Sequence, residues 1–162
     1  MNDIISPARL IRDPGHLLSF GFGSGLSPFA PGTMGTIIAI PLYLASVQAG
    51  QLVYGVICLI VVLAGVFLCE RTTRALQVHD HPAIVWDEIA GFFITMIFVP
   101  VSLTTVIAGF ILFRIFDILK PWPISVIDSR LKGGIGVMLD DVLAGLFALV
   151  IMQVLVQLEW IV

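Results

Sequence analysis

The amino-acid sequence predicts an all-α, membrane-embedded multi-helix bundle with its polar site at the helix ends on the cytoplasmic face. Of 162 residues, 59% are hydrophobic and 12% are charged, and the mean hydropathy is +1.09, as is typical of a multi-span membrane protein. The charges are also clustered, because residues 14–69, 89–113 and 142–158 contain no Asp, Glu, Lys or Arg. Fourteen of the nineteen charged residues lie in 70–88, 114–132 and Asp140–Asp141.

The length predicts a single domain over residues 1–162. The net charge of −3, without any run of Lys and Arg that could meet a phosphate backbone, argues against a nucleic-acid partner. No pattern predicts a protein partner. Cys58 and Cys69 both lie in an apolar run, which favours buried, inert thiols over a disulfide.

A loop rich in glycine and proline precedes the first apolar helices. Residues 21–35 contain five glycines and two prolines, a composition that marks tight backbone turns. Such a loop can present backbone N–H groups to a phosphate, but the Gly-Lys-Ser/Thr of a phosphate-binding loop is absent, which favours a simple entry turn. A helical hairpin is expected next, with helices over Thr36–Ala49 and Leu52–Cys69.

The next helix is expected to begin at His81–Pro82, with Asp80 or His81 as its cap, because proline suits the first turn of a helix. Asp87 and Glu88 then fall in its early turns. The polar residues from 70 onward form the connection to this helix.

The apolar residues 89–113 allow two arrangements. They could form one tilted span, or two short helices that bend at Pro100. Lys and Arg are enriched on the cytoplasmic side of membrane proteins, and they flank the apolar segments here but are absent from 48–51 and 100–105. We therefore expect a shallow hairpin with both ends on the cytoplasmic side.

The last part of the chain is expected to contain one further long helix. The preceding helix should stop at Lys120, because Pro121 and Pro123 follow it. Asp128 and Arg130 are assigned to a loop, and Lys132–Gly136 to a flexible connection. The last helix is then Val142–Val162, which is long enough to cross a membrane. Asp140 and Asp141 directly precede it.

Carboxylates interspersed with Lys and Arg are typical of a Mg²⁺-dependent phosphoryl-transfer site. Mg²⁺ prefers oxygen ligands and keeps several waters, so a few Asp and Glu side chains and a substrate phosphate complete its shell. Arg and Lys then hold the phosphate oxygens. Helix dipoles offer a simpler explanation, because they favour acids at helix starts and bases at helix ends. Spacing alone leaves both interpretations open.

Asp117 does not fit the helix-dipole explanation. A carboxylate near a helix C-terminus is at the unfavourable end of the dipole and needs a cationic partner or a metal. Arg114, Asp117 and Lys120 recur at three-residue spacing and so lie on one side of a helix, which would place a metal ligand between two phosphate-binding side chains. An ordinary ion pair with Arg114 would satisfy Asp117 equally well.

Three blocks of the sequence together resemble the phosphatidylglycerophosphatase A family. They are SPFAPGTMGT at Ser27–Thr36, IVWDEIAG at Ile84–Gly91, and FRIFDILKPWPISVIDSRLKGGIGVMLDDVLAG at Phe113–Gly145. The blocks follow in family order and cover about a third of the chain. Because their order and combined length are hard to reach by chance, the match is much more specific than any single pair of acidic residues.

The resemblance implies an all-helical enzyme that uses Mg²⁺ to remove the terminal phosphate of phosphatidylglycerophosphate, giving phosphatidylglycerol. It also implies a location in the bacterial inner membrane, with the active site facing the cytoplasm and with membrane lipids as surroundings. Candidate metal ligands or catalytic residues are Asp87, Glu88, Asp117, Asp140 and Asp141, with Asp80 and Asp128 as further candidates. Candidate phosphate-binding residues are Arg114, Lys120 and Arg130.

Two other functions of membrane proteins are less consistent with the charge pattern. An ion or proton transporter should carry carboxylates inside its spans, whereas these carboxylates flank apolar segments that contain no charge. A phosphatidyltransferase would require an Asp-Gly pair followed by Ala-Arg, which the sequence lacks.

Overall fold

A computed structural model describes residues 7–78 and 81–161, with the side chains of residues 8 and 9 left out. These ranges fold into helices and contain no strand, which confirms the all-α prediction for this part of the chain. The helices are α1 (Pro7–Leu10), α2 (Pro14–Ser19), a 3₁₀ helix (Gly21–Leu26), α3 (Pro31–Val47), α4 (Gln51–Leu76), α5 (Trp86–Thr95), α6 (Leu103–Leu119), α7 (Ile124–Arg130) and α8 (Gly133–Gln157).

Helix α8 lies at the centre of the bundle and packs against α4, α5, α6 and α7. Its approach to α5 depends on two glycines. A Cβ atom at Gly145 would lie 2.5 Å from the carbonyl oxygen of Gly91, closer than real contacts allow. The small residues therefore let the two backbones touch, and this contact sets the position of α5 relative to α8.

Aromatic residues join α3, α4 and α5 on the apolar side of the bundle. The Tyr54 hydroxyl donates a hydrogen bond of 2.6 Å to the carbonyl oxygen of Phe93, and the rings of Tyr43 and Tyr54 pack edge to face at 5.6 Å. Tyr43 makes a similar contact with Phe92 at 5.9 Å. These contacts fix α5, whose first turn carries two of the predicted site residues.

Two helices of the described chain, α4 and α8, are long and apolar enough to cross a membrane. Only 22% of the most apolar window of α4 is buried inside the protein, and side chains such as Leu59, Leu63 and Phe67 are exposed. An apolar surface of this kind is unfavourable in water. Both helices therefore suggest association with a membrane.

The predicted start of α5 at His81–Pro82 is wrong, because α5 begins at Trp86. The residues before it form a turn, in which the Ile84 N–H donates to the His81 carbonyl oxygen at 2.8 Å. The Val85 N–H then donates to the carbonyl oxygen of Ser19 at 2.9 Å, so this segment is held by α2 instead of continuing the helix. Asp80, the other predicted cap, lies outside the described residues.

The glycine-rich connection predicted at Lys132–Gly136 is also wrong, because α8 begins at Gly133. The Gly134 N–H donates to Glu70 Oε2 at 2.5 Å, and a Cβ atom at Gly134 would overlap the backbone of α4. Packing on α4 thus makes the glycines helical. Asp140 and Asp141 consequently lie in the third turn of α8, where the dipole of the helix start no longer explains them.

Of the other predicted boundaries, some are confirmed and others are wrong. Residues 89–113 do not form one continuous helix, because α5 ends at Thr95 and α6 starts at Leu103 with Ser102 as its cap. The predicted helix end at Lys120 is confirmed. The loop predicted for Asp128 and Arg130 is wrong, since both residues lie on α7. The predicted hairpin is confirmed with longer helices, and both cysteines are buried thiols, as expected.

Candidate active site

A cleft opens at the end of the bundle where α3, α5 and α8 begin and α6 ends. Its volume is about 300 Å³. All three charged stretches contribute to it, which brings together residues that are as much as 54 positions apart in the sequence. Its charged lining residues are Asp87, Glu88, Arg114, Asp117, Lys120, Asp128, Asp140 and Asp141.

Three carboxylates meet in this cleft. Asp87 and Glu88 lie in the first turn of α5 and Asp141 lies on α8, and one oxygen from each is within 4.8 Å of the others. Asp87 is 8% exposed and Asp141 only 3%. Asp87 Oδ1 and Glu88 Oε2 are buried without a hydrogen-bond partner. Because burying unpaired carboxylates is costly, this group requires either protons or a cation.

The acid strengths of Asp87 and Glu88 reflect this crowding. Burial raises the pKa of Asp87 well above its usual range, and the charges of Glu88 and Asp141 raise it further. Burial also raises the pKa of Glu88, to about 7, although a hydrogen bond with Asp87 and the charge of Arg114 act in the opposite direction. A bound cation would favour the ionised forms of both side chains.

The donor atoms of this group fit a hard divalent cation. All are carboxylate oxygens, the ligands that Mg²⁺, Mn²⁺ and Ca²⁺ prefer, and no thiolate or imidazole lies among them. The two unpartnered oxygens of Asp87 and Glu88 are available as ligands. The three side chains thus form a possible metal-binding cluster.

Arg114 lies beside the three carboxylates and pairs with Asp117. Its Nη1 contacts Asp117 Oδ2 and is 3.9 Å from Glu88 Oε1, while its Nε is buried without a partner. The ion pair that could satisfy Asp117 is therefore present. Asp117 itself lies in the cleft but outside the group of three carboxylates.

Lys120 forms a second charged centre in the same cleft. Its Nζ donates to Asp128 Oδ1 at 2.7 Å and to Asp140 Oδ2 at 2.5 Å. Burial lowers the pKa of Lys120, but its hydrogen bonds to Asp128 and Asp140 outweigh this effect, so that its pKa is raised overall. The ammonium group therefore stays charged at neutral pH, and Asp140 keeps one oxygen, Oδ1, without a partner.

One predicted site residue that the structure describes is not part of this arrangement. Arg130 is exposed at the end of α7 and does not line the cleft. Asp80 lies outside the described residues. His81 lies in the turn before α5, where its Nδ1 accepts a hydrogen bond of 3.1 Å from the Ala83 N–H. This hydrogen bond stays within the turn.

The start of α3 is a part of the cleft that sequence reasoning did not identify. Residues 30–32 line the cleft, and a Cβ atom at Gly32 would overlap the Glu88 carboxylate and lie 3.1 Å from Arg114 Nη1. The glycine-rich and proline-rich segment was the available signal. Its composition favours a simple entry turn, because nothing in the local sequence indicates that α3 begins against α5 and α6.

The sequence model of the phosphatidylglycerophosphatase A family matches residues 17–156. A phosphatidylglycerophosphatase A of Escherichia coli (strain K12) is 45% identical over 148 residues, which covers 90% of this chain and 86% of the relative. The phosphatidylglycerophosphatase A of Haemophilus influenzae is 43% identical over 143 residues, 87% of this chain and 88% of the relative.

A further relative carries a different name. A protein of Bacteroides thetaiotaomicron, provisionally named as a phosphatidylinositol-3-phosphatase, is 38% identical over 146 residues, 85% of this chain and 91% of the relative. No solved structure matches the chain. The family match extends over all the elements that build the cleft, and it confirms the resemblance carried by the three sequence blocks. The chain therefore belongs to the phosphatidylglycerophosphatase A family and is an enzyme of that family.

Proposed function

We propose that the chain hydrolyses the terminal phosphomonoester of phosphatidylglycerophosphate, in a Mg²⁺-dependent reaction, to give phosphatidylglycerol and phosphate. The observation that carries this proposal is the meeting of Asp87, Glu88 and Asp141 in a cleft that also contains Arg114 and Lys120. Carboxylates for a metal and cations for a phosphate are the two groups of side chains that such a reaction needs. Residues 1–162 would act as a single domain.

In this proposal Asp87, Glu88 and Asp141 hold the metal ion. When bound, Mg²⁺ would make a water molecule more acidic and draw electron density from the phosphoryl group. Asp140 is a further candidate ligand, because its unpartnered Oδ1 faces the same cleft. Asp128 is less well placed for this role, since it is bonded to Lys120.

Arg114 and Lys120 are the proposed phosphate-binding residues. Both line the cleft with their charged groups held by carboxylates, Arg114 by Asp117 and Lys120 by Asp128 and Asp140. Such anchoring orients the cations before the substrate arrives, which is how charge developing on a transferred phosphoryl group is stabilised. Arg130, exposed on α7, would act only on a headgroup that reaches beyond the cleft.

Asp117 is the proposed acceptor of the proton from the attacking water. It lies in the cleft beside the proposed metal-binding carboxylates but is not one of the three, and Arg114 holds its Oδ2 in place. A carboxylate within hydrogen-bonding reach of the attacking water is the usual general base in hydrolysis. Its ion pair with Arg114 would also link the base to the phosphate-binding side chain.

The proposed location is the bacterial inner membrane, with the cleft facing the cytoplasm. The basic residues Arg71, Arg74, Lys120, Arg130 and Lys132 lie at the end of the bundle where the cleft opens. The connections at the opposite end, residues 48–50 and 96–102, contain no Lys or Arg. This asymmetry favours a cytoplasmic orientation of the cleft.

The test is phosphate release by the purified protein in detergent micelles that contain phosphatidylglycerophosphate. We expect release with Mg²⁺ and none with EDTA, both for the wild type and for Asp13→Asn, which alters a carboxylate paired with Arg71 outside the cleft. If the folded wild-type protein released no phosphate in response to Mg²⁺, the proposal would be contradicted.

Substrate preference is tested in the same assay with phosphatidylinositol 3-phosphate. The Bacteroides relative carries a name that points to that lipid, whereas the two relatives of higher identity are named for phosphatidylglycerophosphate. We expect faster release from phosphatidylglycerophosphate. Faster release from the inositol lipid would change the proposed substrate and leave the proposed chemistry of the site unchanged.

A further inference from the structure

We propose that Phe29, Leu119 and Trp122 form a rim of the cleft that is immersed in the lipid bilayer, so that the substrate enters the cleft from the lipid side. This inference rests on the proposed function, because it concerns how a phospholipid reaches the same site. It adds a lipid-binding surface that lies outside the catalytic cleft.

The level of the site along α4 follows from one close contact between α4 and α8. A Cβ atom at Gly65 of α4 would meet Met138 of α8 at 2.5 Å, so these two residues lie at one level. Asp141 lies three residues further along α8, about 4.5 Å at the rise of an α-helix. Because α4 and α8 are antiparallel, Asp141 is level with about Val62.

The apolar surface of α4 continues past this level toward the open end of the cleft. Residues 62–69 are uncharged and extend for about 10 Å along the helix. Within them Leu63 is 54% exposed and Phe67 is 77% exposed. If lipid covers the exposed apolar surface of α4, the lipid reaches above the level of the three carboxylates on this side of the molecule.

The rim consists of large, exposed apolar and aromatic side chains. Phe29 directly precedes Ala30, and Leu119 directly precedes Lys120, both of which line the cleft. Phe29 is 83% exposed, Leu119 72% and Trp122 80%. Large apolar side chains around a highly charged cleft are unfavourable in water, whereas aromatic residues are enriched where a protein meets the headgroup region of a membrane.

Charge complementarity identifies the occupant as a phospholipid surface. Arg130 and Lys132 are exposed on either side of Leu131, which lines the cleft. Basic side chains next to inserted aromatic residues are attracted to anionic headgroups. A protein partner would not explain why Leu119 ends an exposed apolar face of α6 that also contains Ile111, Ile115 and Ile118.

Spin labels test the position of the rim directly. Single cysteines replace Phe29 or Trp122, with Leu59→Cys as the lipid reference on α4 and Arg74→Cys, whose side chain is 79% exposed beyond Glu70, as the water reference. The wild type, with both cysteines buried, gives the background. The measurement is the accessibility of each label to oxygen and to a water-soluble nickel chelate in phospholipid vesicles. Rim labels that resemble Leu59→Cys support the proposal, and rim labels that resemble Arg74→Cys overturn it.

A comparison of two substrates tests the use of the rim. The Phe29→Ser/Trp122→Ser variant is assayed with long-chain phosphatidylglycerophosphate in vesicles and with a short-chain, water-soluble form. We expect the ratio of vesicle to soluble activity to fall by about tenfold, because the removed side chains no longer bury apolar surface in lipid. Leu52→Ser/Leu103→Ser, which alters exposed side chains at the opposite end, should keep the wild-type ratio. An unchanged ratio in the rim variant would overturn the proposal.

These tests separate the rim from the proposed function. The accessibility of the spin labels does not depend on catalysis, so labels in lipid together with no phosphate release would contradict only the proposed reaction. Phosphate release together with water-exposed labels would contradict only the rim.

Discussion

At the scale of single residues, the cleft is held together by side chains of opposite charge. Arg114 and Lys120 each bind carboxylates that lie in the cleft, so that neither cation has to be ordered when a phosphate arrives. Of the remaining carboxylates, Asp87 and Glu88 each keep one buried oxygen without a hydrogen-bond partner, and both lie close to Asp141. The proposed roles follow this division, with the paired carboxylates beside the proposed phosphate-binding cations and the crowded ones around the proposed metal ion.

Asp117→Asn tests the role of a paired carboxylate. The substitution keeps the size of the side chain and removes its charge, so we expect turnover of phosphatidylglycerophosphate to fall by about 10²-fold or more, as for the loss of a general base. The unfolding temperature should stay close to that of the wild type. Asp13→Asn is the control, because asparagine replaces aspartate well as a helix cap. Wild-type turnover in Asp117→Asn would show that the Asp117 carboxylate serves only in a structural ion pair with Arg114.

Gly32→Ala tests whether the start of α3 must approach Glu88 closely. The added methyl group would overlap the Glu88 carboxylate, so we expect a large loss of turnover, with the protein still folded. Gly55→Ala is the matched control, because the added Cβ on α4 would meet nothing within 4 Å. Equal turnover in the two variants would show that Glu88 can shift without consequence.

At the scale of helices, the sequence predicts ends that depend on local chemistry and misses ends that depend on packing. Pro121 stops α6 after Lys120, as proline does wherever it follows a helix. The start of α8 is different, because Gly133 and Gly134 have low helix propensity. They become helical through the hydrogen bond from Gly134 to Glu70 of α4, a residue 64 positions away that no local pattern can indicate.

Gly145→Ala tests the close contact between α5 and α8. The added Cβ would lie 2.5 Å from the carbonyl oxygen of Gly91, and backbone atoms cannot move aside as a side chain can. We expect a loss of about 1–3 kcal/mol in the free energy of unfolding, typical of overpacking. Titration with a denaturing detergent measures it, again with Gly55→Ala as control. Unchanged stability would mean that the two helices can separate without cost.

At the scale of the whole molecule, the fold brings the three charged stretches to one end of the bundle. The clustering in the sequence and the family blocks identified most of the charged residues of the cleft. They did not identify the pairing, because Lys120 meets Asp140 across two helices and a turn. The sequence also does not indicate which three of the five candidate ligands lie together. Their grouping depends on the angle between α5 and α8, and this angle is set by packing.

Topology is a further property of the whole molecule. If α5 and α6 form a shallow hairpin, Thr104, exposed in the first turn of α6, lies within the membrane and not on its outer face. We expect Thr104→Cys to resist a membrane-impermeant thiol reagent added outside sealed cells. Ala49→Cys, in the turn between α3 and α4, is the comparison for a connection at the same end of the bundle. Strong labelling of Thr104→Cys from outside would instead indicate that α6 reaches the outer surface.

The Mg²⁺ dependence of phosphate release in the wild type and in Asp141→Asn is the most direct test of the central claim, that three carboxylates from α5 and α8 form the metal site of a lipid phosphatase. With phosphatidylglycerophosphate as substrate, the account predicts saturation of the wild type by Mg²⁺. In Asp141→Asn it predicts either no release or a half-saturating Mg²⁺ concentration raised by more than about tenfold. The same Mg²⁺ curve for both proteins, or full wild-type activity in EDTA, would contradict it.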